Sequence, residues 1–193
     1  LDPAIPVLSE EEEDSFRAER PALYFLIDPI DGTASFAHGF SGFVTQVALI
    51  QNDRPVAAAV NAPALGHTWS ATLGGGALLD GKRLAAVRPP GRLLVIDNYP
   101  EPRGITARLV AELPANGYVE CGSIGLKACR VADGSADLFV KDVVVRDWDV
   151  APAALILRET DAALTDGSGR PFRFTGAVEK TGVIAAANAA LAA

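Results

Sequence analysis

Leu23-Tyr24-Phe25-Leu26-Ile27-Asp28-Pro29-Ile30-Asp31-Gly32-Thr33 is the stretch that decides how this chain folds. Residues 22–27 are a short aromatic and β-branched run, the composition of a buried strand. The run ends at Asp28-Pro29, and a proline biases the residue before it away from the α region. The expectation is a strand whose end delivers Asp28 and Asp31 into an irregular loop, where both carboxylates can face one cavity. Mg²⁺ favours octahedral oxygen ligation, commonly one or two carboxylates with waters and a substrate phosphate. Asp28 can bridge two ions, Asp31 can complete the second, and the Ile30 carbonyl can join the first. Gly32 lets the backbone approach a phosphate closely. Thr33 adds a hydroxyl and an amide, and a helix starting there would favour an anion. On their own, the same residues also read as an Asp-Gly turn before a capped helix.

Two acidic positions elsewhere bear on that choice. Residues 10–14 are five consecutive carboxylates after the apolar Pro6-Val7-Leu8, and Asp149 stands beside Trp148 at an expected helix start. Taken singly, the acidic run reads as a solvated face and Asp149 as a helix N-cap or first-turn residue. Taken together with Asp28 and Asp31, Glu10 and Asp149 read as further metal ligands.

Composition narrows the function classes. The chain has 193 residues, 49% of them hydrophobic and 21% charged, which suits a packed protein rather than a disordered one. A net charge of −7 argues against a nucleic-acid polymer as partner, since such binders present basic stripes. It leaves room for a small anionic substrate, because divalent cations invert the sign of an acidic pocket. No apolar run approaches the ~18 residues of a membrane span, and no secretory signal is visible, so cytoplasm is the default expectation. Cys121 and Cys129 have no histidine cluster near them and read as buried thiols. The chain begins at Leu1 without a methionine anywhere, and Asp2-Pro3-Ala4-Ile5-Pro6 reads like the middle of a protein.

Along the chain, residues 43–50, 55–62 and 67–73 read as successive strands, with Asn52-Asp53 as a hairpin turn. Gly74-Gly75-Gly76 and Asp80-Gly81 supply turns, and a further strand is expected over 84–87. Pro89-Pro90-Gly91 is the strongest boundary candidate, dividing an N-terminal α+β part (1–88, truncated at its start) from a C-terminal α/β part (89–193). Beyond it, strands are expected at 93–96, 118–121, 136–140 and 143–145, and helices at 105–113, 123–132 and 149–159. Pro152 falls early enough in the last helix to be tolerated. Strands and helices in layers are the implied architecture.

With these elements in place, the chain resembles the inositol monophosphatase superfamily of Mg²⁺-dependent, lithium-sensitive phosphatases. Asp28-Pro29-Ile30-Asp31-Gly32-Thr33 with Phe36, and Trp148-Asp149-Val150-Ala151, match its two signatures in order and separation, and Ser9-Glu10-Glu11 matches its glutamate-bearing segment. The likeness runs from Pro6 to Asn188. It implies an α+β layered sandwich, αβαβα-like, and a homodimer. It makes Glu10, Asp28 and the Ile30 carbonyl ligands of the first metal, and Asp28, Asp31 and Asp149 ligands of the second, with two or three Mg²⁺ per site. It assigns phosphate and substrate binding to Gly32, Thr33, Ser123, Lys127 and Asp149, and gives Thr33 a part in orienting the attacking water. The implied chemistry is in-line attack by metal-activated water on a small phosphorylated metabolite, without a covalent intermediate. His38 and His67 receive no role.

Departures from the family pattern are informative. Family members carry a further, mostly helical N-terminal segment. Thr160-Asp161-Ala162 replaces the usual Ala-Gly-Gly turn, so helix termination there must use other chemistry, and Pro152 replaces a small residue. Gly125-Leu126-Lys127 resembles the 3′(2′),5′-bisphosphate nucleotidases, whereas inositol monophosphatases tend to carry Asp or Asn at the last position. A lysine at the pocket edge would suit a second phosphate; the alternative is a solvated lysine on a helix. A bisphosphate nucleotidase is therefore the leading expectation, with an inositol monophosphatase or a sugar or histidinol phosphatase as the alternative. A non-catalytic metal- or phosphate-binding module is the competing class.

Overall fold

The structure, a computed structural model, describes residues 2–16, 19–87, 93–98, 100–112 and 115–192. The Pro89-Pro90-Gly91 boundary falls outside the described residues.

The first sheet has seven strands in sequence order: β1 (Val7–Ser9), β2 (Leu23–Asp31), β3 (Val44–Gln51), β4 (Arg54–Ala62), β5 (His67–Thr72), β6 (Gly76–Leu79) and β7 (Lys82–Arg83). Only β1 and β2 pair in parallel; the rest form antiparallel hairpins. The period-2 pattern is visible in β3, where Val44, Gln46, Ala48 and Ile50 are buried and the intervening residues less so. Asn52 and Asp53 turn the β3–β4 hairpin with φ of 47° and 62°. Positive φ at both central positions is what a two-residue hairpin with the sheet's twist demands.

The second sheet is mixed, in the order β11-β12-β10-β8-β9, with β8 (Leu93–Asn98), β9 (Ala115–Cys121), β10 (Leu138–Arg146), β11 (Ala163–Asp166) and β12 (Glu179–Ala186). β8 lies parallel to β9 and β10. Parallel neighbours need crossover connections, and α2 (Gly104–Glu112) and α3 (Ile124–Ala132) supply them. Between the sheets, α3 packs beside α4 (Asp147–Arg158), which touches β2 to β5 on one side and β10 to β12 on the other. On the far face of the second sheet, Ile105 and Leu109 of α2, with Leu191 and Ala192 of α5 (Ala189–Ala192), pack on Leu138, Val140 and Ala186. The described elements thus stack as sheet, helices, sheet, helices, an α+β layered sandwich with four of the five αβαβα layers. The outer face of the first sheet is also apolar: Phe25, Val47, Leu49 and Leu78 line a shallow cavity there.

One core joins both sheets through the helix layer. It contains Tyr24, Ile50, Trp69, Phe139, Trp148 and Leu155, all fully or almost fully buried. Cys121 and Cys129 are free thiols within it, as expected. Burial pushes the Cys121 thiol up to about 11, which leaves it unreactive near neutral pH.

Three local expectations need correction. Residues 84–87 are not a strand; the pairing partners are β6 and β7, joined by Asp80-Gly81 with φ of 51° and 76°. The tight turn dictates which flanks pair, and it overrides the more apolar run downstream. The segments at 136–140 and 143–145 are one strand, β10, interrupted by a bulge between Lys141 and Val144. Pro152 is tolerated as expected, but not by being early: it lies inside α4 with no N–H to give the Trp148 carbonyl, and the helix runs on to Arg158.

Contrary to expectation, Thr160-Asp161-Ala162 ends α4 by the closure that a glycine would give, with Asp161 in the glycine's place. The Ala162 N–H reaches back to the Leu157 carbonyl (3.0 Å) and the Asp161 N–H to that of Arg158 (3.2 Å). This is a Schellman closure with Asp161 in the left-handed position, at φ 60°. Glycine occupies that conformation without the Cβ cost. Asp161→Gly is expected to stabilise by about 0.5–1 kcal/mol, raising the thermal midpoint by roughly 1–4 °C in a domain of this size. A lowered midpoint in a thermal melt would contradict the assignment of strain to Asp161.

Candidate metal and phosphate site

Strand β2 does not stop at Asp28. It continues to Asp31 through a bulge: Asp28 pairs with Gln46 and Asp31 with Val44, so β2 spends one more residue than β3 over this interval. Pro29 has no N–H for the ladder, but its carbonyl accepts from the Thr45 hydroxyl at 2.9 Å. The aspartates are therefore fixed by the paired end of β2 rather than carried on a loop.

Glu10 follows β1, which lies parallel against β2. Asp149 is the third residue of α4, and its Oδ2 accepts the Arg146 N–H at 2.7 Å in a capping box. One oxygen each from Glu10, Asp28 and Asp149 lie within 4.8 Å of one another. Three distant chain segments thus place carboxylates around one point. Asp31 is not one of that trio. Its Oδ2 accepts from the Gly125 N–H (2.7 Å) and the Gln46 amide (3.2 Å), and its Oδ1 from the Ile124 N–H (3.4 Å). The Ile30 N–H donates to Asp28 Oδ1 at 3.0 Å, which fixes the turn bearing the Ile30 carbonyl.

Gly32 adopts φ 88° just before the short helix α1 (Thr33–Ala37). A Cβ there would stand 3.0 Å from Ser123 Cβ and 3.2 Å from the Gly42 carbonyl, so both conformation and space require glycine. Thr33 is exposed at the first helical position. Ser123, by contrast, is buried, and its hydroxyl caps α3 by accepting the Leu126 N–H at 3.0 Å.

Lys127 is neither at a pocket edge nor solvated. It is 1% exposed, and its ammonium donates to Asn98 Oδ1 (2.5 Å) and the Gly122 carbonyl (2.7 Å), with Asp97 at 3.8 Å. The reason is packing: α3 is sandwiched between the sheets and buries most of its circumference. Burial lowers the Lys127 ammonium to about 8 despite the neighbouring acids. Both histidines make exposed pairings with none of the four site carboxylates, His38 with the Ala34 carbonyl and His67 with Asp80.

Two further residues belong to the site. Gln46 is buried, and its amide reaches both Asp31 and the Asp149 carbonyl (3.4 Å), tying β2 and α4 together. A polar residue on the apolar face of β3 was the available signal. Arg146 places its guanidinium 3.3 Å from Glu10 and 3.4 Å from Glu179. Nothing in the spacing marks it.

The electrostatics call for a cation. Burial, then Asp31, Glu10 and Asp149, raise the Asp28 carboxyl to about 8. Burial and Asp31 raise Asp149 to about 7. Burial raises Asp31 to about 6, against the opposing pull of the Gly125 amide. Asp28 Oδ2 is buried without a hydrogen-bond partner, a costly state that a hard, oxygen-seeking cation would relieve. The residues present fit Mg²⁺. An acid with a raised folded pKa binds protons more tightly folded than unfolded, so stability declines as pH climbs past the unfolded value of 3.8 toward the folded one. In EDTA the thermal midpoint is expected to fall between about pH 5 and about pH 8.5, and added Mg²⁺ is expected to raise it most at the alkaline end. An EDTA profile that rises over this range would refute the crowding of these carboxylates.

Comparison with known proteins agrees with this geometry. The chain matches the inositol monophosphatase family over residues 3–193. It is 31% identical over 183 residues to the 3′(2′),5′-bisphosphate nucleotidase CysQ of Aggregatibacter actinomycetemcomitans, an alignment covering 90% of this chain and 68% of that protein. Among solved structures, the inositol monophosphatase of Thermotoga maritima superposes with a TM-score of 0.83 at 26% identity, covering 97% of this chain and 71% of that one. CysQ from Bacteroides thetaiotaomicron superposes with a TM-score of 0.81 at 21% identity, over 96% and 78% of the two chains. Alike in its signatures, in its layered fold and in the carboxylates that the fold gathers, this chain belongs to the inositol monophosphatase family.

Proposed function

We propose that the chain is a Mg²⁺-dependent phosphomonoesterase of the 3′(2′),5′-bisphosphate nucleotidase kind, acting on a small phosphorylated metabolite. The observation that carries the reading is the buried, unpartnered oxygen of Asp28 held among Glu10 and Asp149. The ligand set is Glu10, Asp28, Asp31, Asp149 and the Ile30 carbonyl. When bound, Mg²⁺ supplies Lewis-acid stabilisation of the phosphoryl oxygens and a water acidic enough to attack.

The protein's own groups supply the preorganisation. Amides of α3 and the Gln46 side chain hold Asp31, and the Arg146 amide holds Asp149, so neither carboxylate must be ordered when substrate arrives. Gly32 and Thr33 present amides to the phosphate, and the Thr33 hydroxyl orients the water. Ser123 acts through packing: it caps α3 and abuts Gly32. Lys127 acts from within, adding positive potential beside Asp31 and clamping Asn98 and Gly122. The CysQ likeness supports a bisphosphate substrate. The proposal includes two or three Mg²⁺ per site, inhibition by lithium, a homodimer and a cytoplasmic location, each supported by the family likeness; no helix of the described residues is long and apolar enough to cross a membrane.

Phosphate release from adenosine 3′,5′-bisphosphate and inositol 1-phosphate, measured with Mg²⁺, tests the substrate class. The bisphosphate is expected to have the higher kcat/KM by roughly tenfold or more, a difference of about 1.4 kcal/mol in transition-state binding. Preference for the inositol ester would overturn the nucleotidase assignment. Asp28→Asn is expected to lower turnover by at least about 100-fold while leaving the circular dichroism and melting cooperativity intact. Retained turnover in that variant would remove Asp28 from the metal site.

A further inference from the structure

Helix α4 carries Asp149 in its first turn and Arg158 at its last residue. At 1.5 Å per residue, its far end lies roughly 13 Å along the axis from the carboxylate cluster. There the β3–β4 hairpin, the end of α4 and the connection between β11 and β12 enclose a cavity of about 650 Å³. Arg54, Arg158 and Arg173 line it, one from each of these segments, together with Phe172, Phe174 and a single carboxylate, Asp53.

What sets these arginines apart is that three of them without a partner line one cavity; among the described residues, Arg103 and Arg108 also lack one but lie outside it. Arg20 pairs with Asp147, Arg130 with Asp133, Arg146 with Glu10 and Glu179, and Arg170 with Asp166. Arg54, Arg158 and Arg173 have no side-chain hydrogen bond or ion pair among the described residues. The chain carries 24 carboxylate residues against 17 lysines and arginines, so three cations gathered in one concavity with one acid are not a consequence of scarce partners. Position at a helix C-terminus favours Arg158; neither Arg54 nor Arg173 has that support. A bound polyanion would give all three guanidinium groups a partner.

The walls suit more than a bare phosphate. The Phe172 and Phe174 rings lie 5.3 Å apart at 43°. Phe174 is buried, and its carbonyl accepts from Arg20 at 3.0 Å. Arg20 in turn grips the first turn of α4 through Asp147 at 2.6 Å, so the aromatic wall is anchored to the core. Guanidinium groups bind phosphate oxygens in a planar, bidentate manner, and the half-buried Phe172 ring is the one that can accept a stacked base. The volume lies within the range of small-molecule sites.

We propose that this cavity binds a nucleoside polyphosphate at a site separate from the phosphomonoesterase centre; the proposal does not rest on the catalytic reading. Isothermal titration of ATP into the intact chain, in EDTA so that no divalent ion occupies the carboxylates, tests it. Wild type is expected to bind one ATP per chain. Arg158→Ala/Arg173→Ala is expected to weaken binding by roughly tenfold or more, and Arg54→Gln to weaken it as well, while Asp28→Asn leaves it unchanged. All three arginines are exposed, so these variants are expected to keep the wild-type melting profile. Pyrophosphate is expected to bind more weakly than ATP. Absence of binding by wild type, equal binding by the double variant, or loss of binding in Asp28→Asn would overturn the site. Equal affinity for pyrophosphate and ATP would overturn its assignment to a nucleotide.

Discussion

Glu10, Asp28 and Asp149 bring oxygens to within 4.8 Å of one another in a largely buried place. Burial first, and then the neighbouring carboxylates with Asp31 foremost, disfavour the charged forms: Asp28 is raised to about 8 and Asp149 to about 7. Such a cluster persists only where the surrounding structure over-determines it. Each of its members is accordingly pinned, Asp28 by the β2 bulge and the Ile30 amide, Asp149 by the Arg146 amide, Glu10 by its place after a strand paired in parallel to β2. The burial of these crowded carboxylates is the constraint around which the rest is built.

The layering explains how three remote segments meet. The first sheet brings residues 10 and 28–31 side by side, because β1 and β2 are neighbours. The intervening helix layer then aims two helix starts at the same edge of that sheet. The start of α3 donates amides to Asp31, and the first turn of α4 carries Asp149. Gln46, reaching across from β3, locks the two arrangements to each other. Buried polar contacts of this kind add little net stability, yet they specify one geometry where an apolar core would tolerate several.

Which parts of this were legible in the sequence follows from the range of each interaction. Asp28, Asp31, Gly32 and Asp149 announce themselves through local chemistry: a proline-broken strand end, an Asp-Gly pair, a helix start beside a tryptophan. The hairpin at Asn52-Asp53 and the free thiols are legible for the same reason. Lys127 could be named but not placed, because whether a helix position faces solvent or a second sheet depends on partners far along the chain. The strand expected at 84–87 failed because turn geometry at Asp80-Gly81 decides the pairing, and β6 was hidden behind three glycines. Arg146 and the cavity at the far end of α4 are products of tertiary assembly with no local signature. Gln46 lies between these cases, a polar residue on an otherwise apolar strand face that hydrophobic patterning alone does not interpret.

The most direct test of the central claim is the position of bound metal. Crystals of the protein soaked in Mn²⁺, which shares the oxygen preference of Mg²⁺, should give an anomalous difference peak within coordination distance of carboxylate oxygens from Glu10, Asp28 and Asp149. The Arg146 guanidinium should then have left Glu10. A fully soaked crystal with no peak at this cluster, or with its manganese bound only elsewhere, would contradict the account.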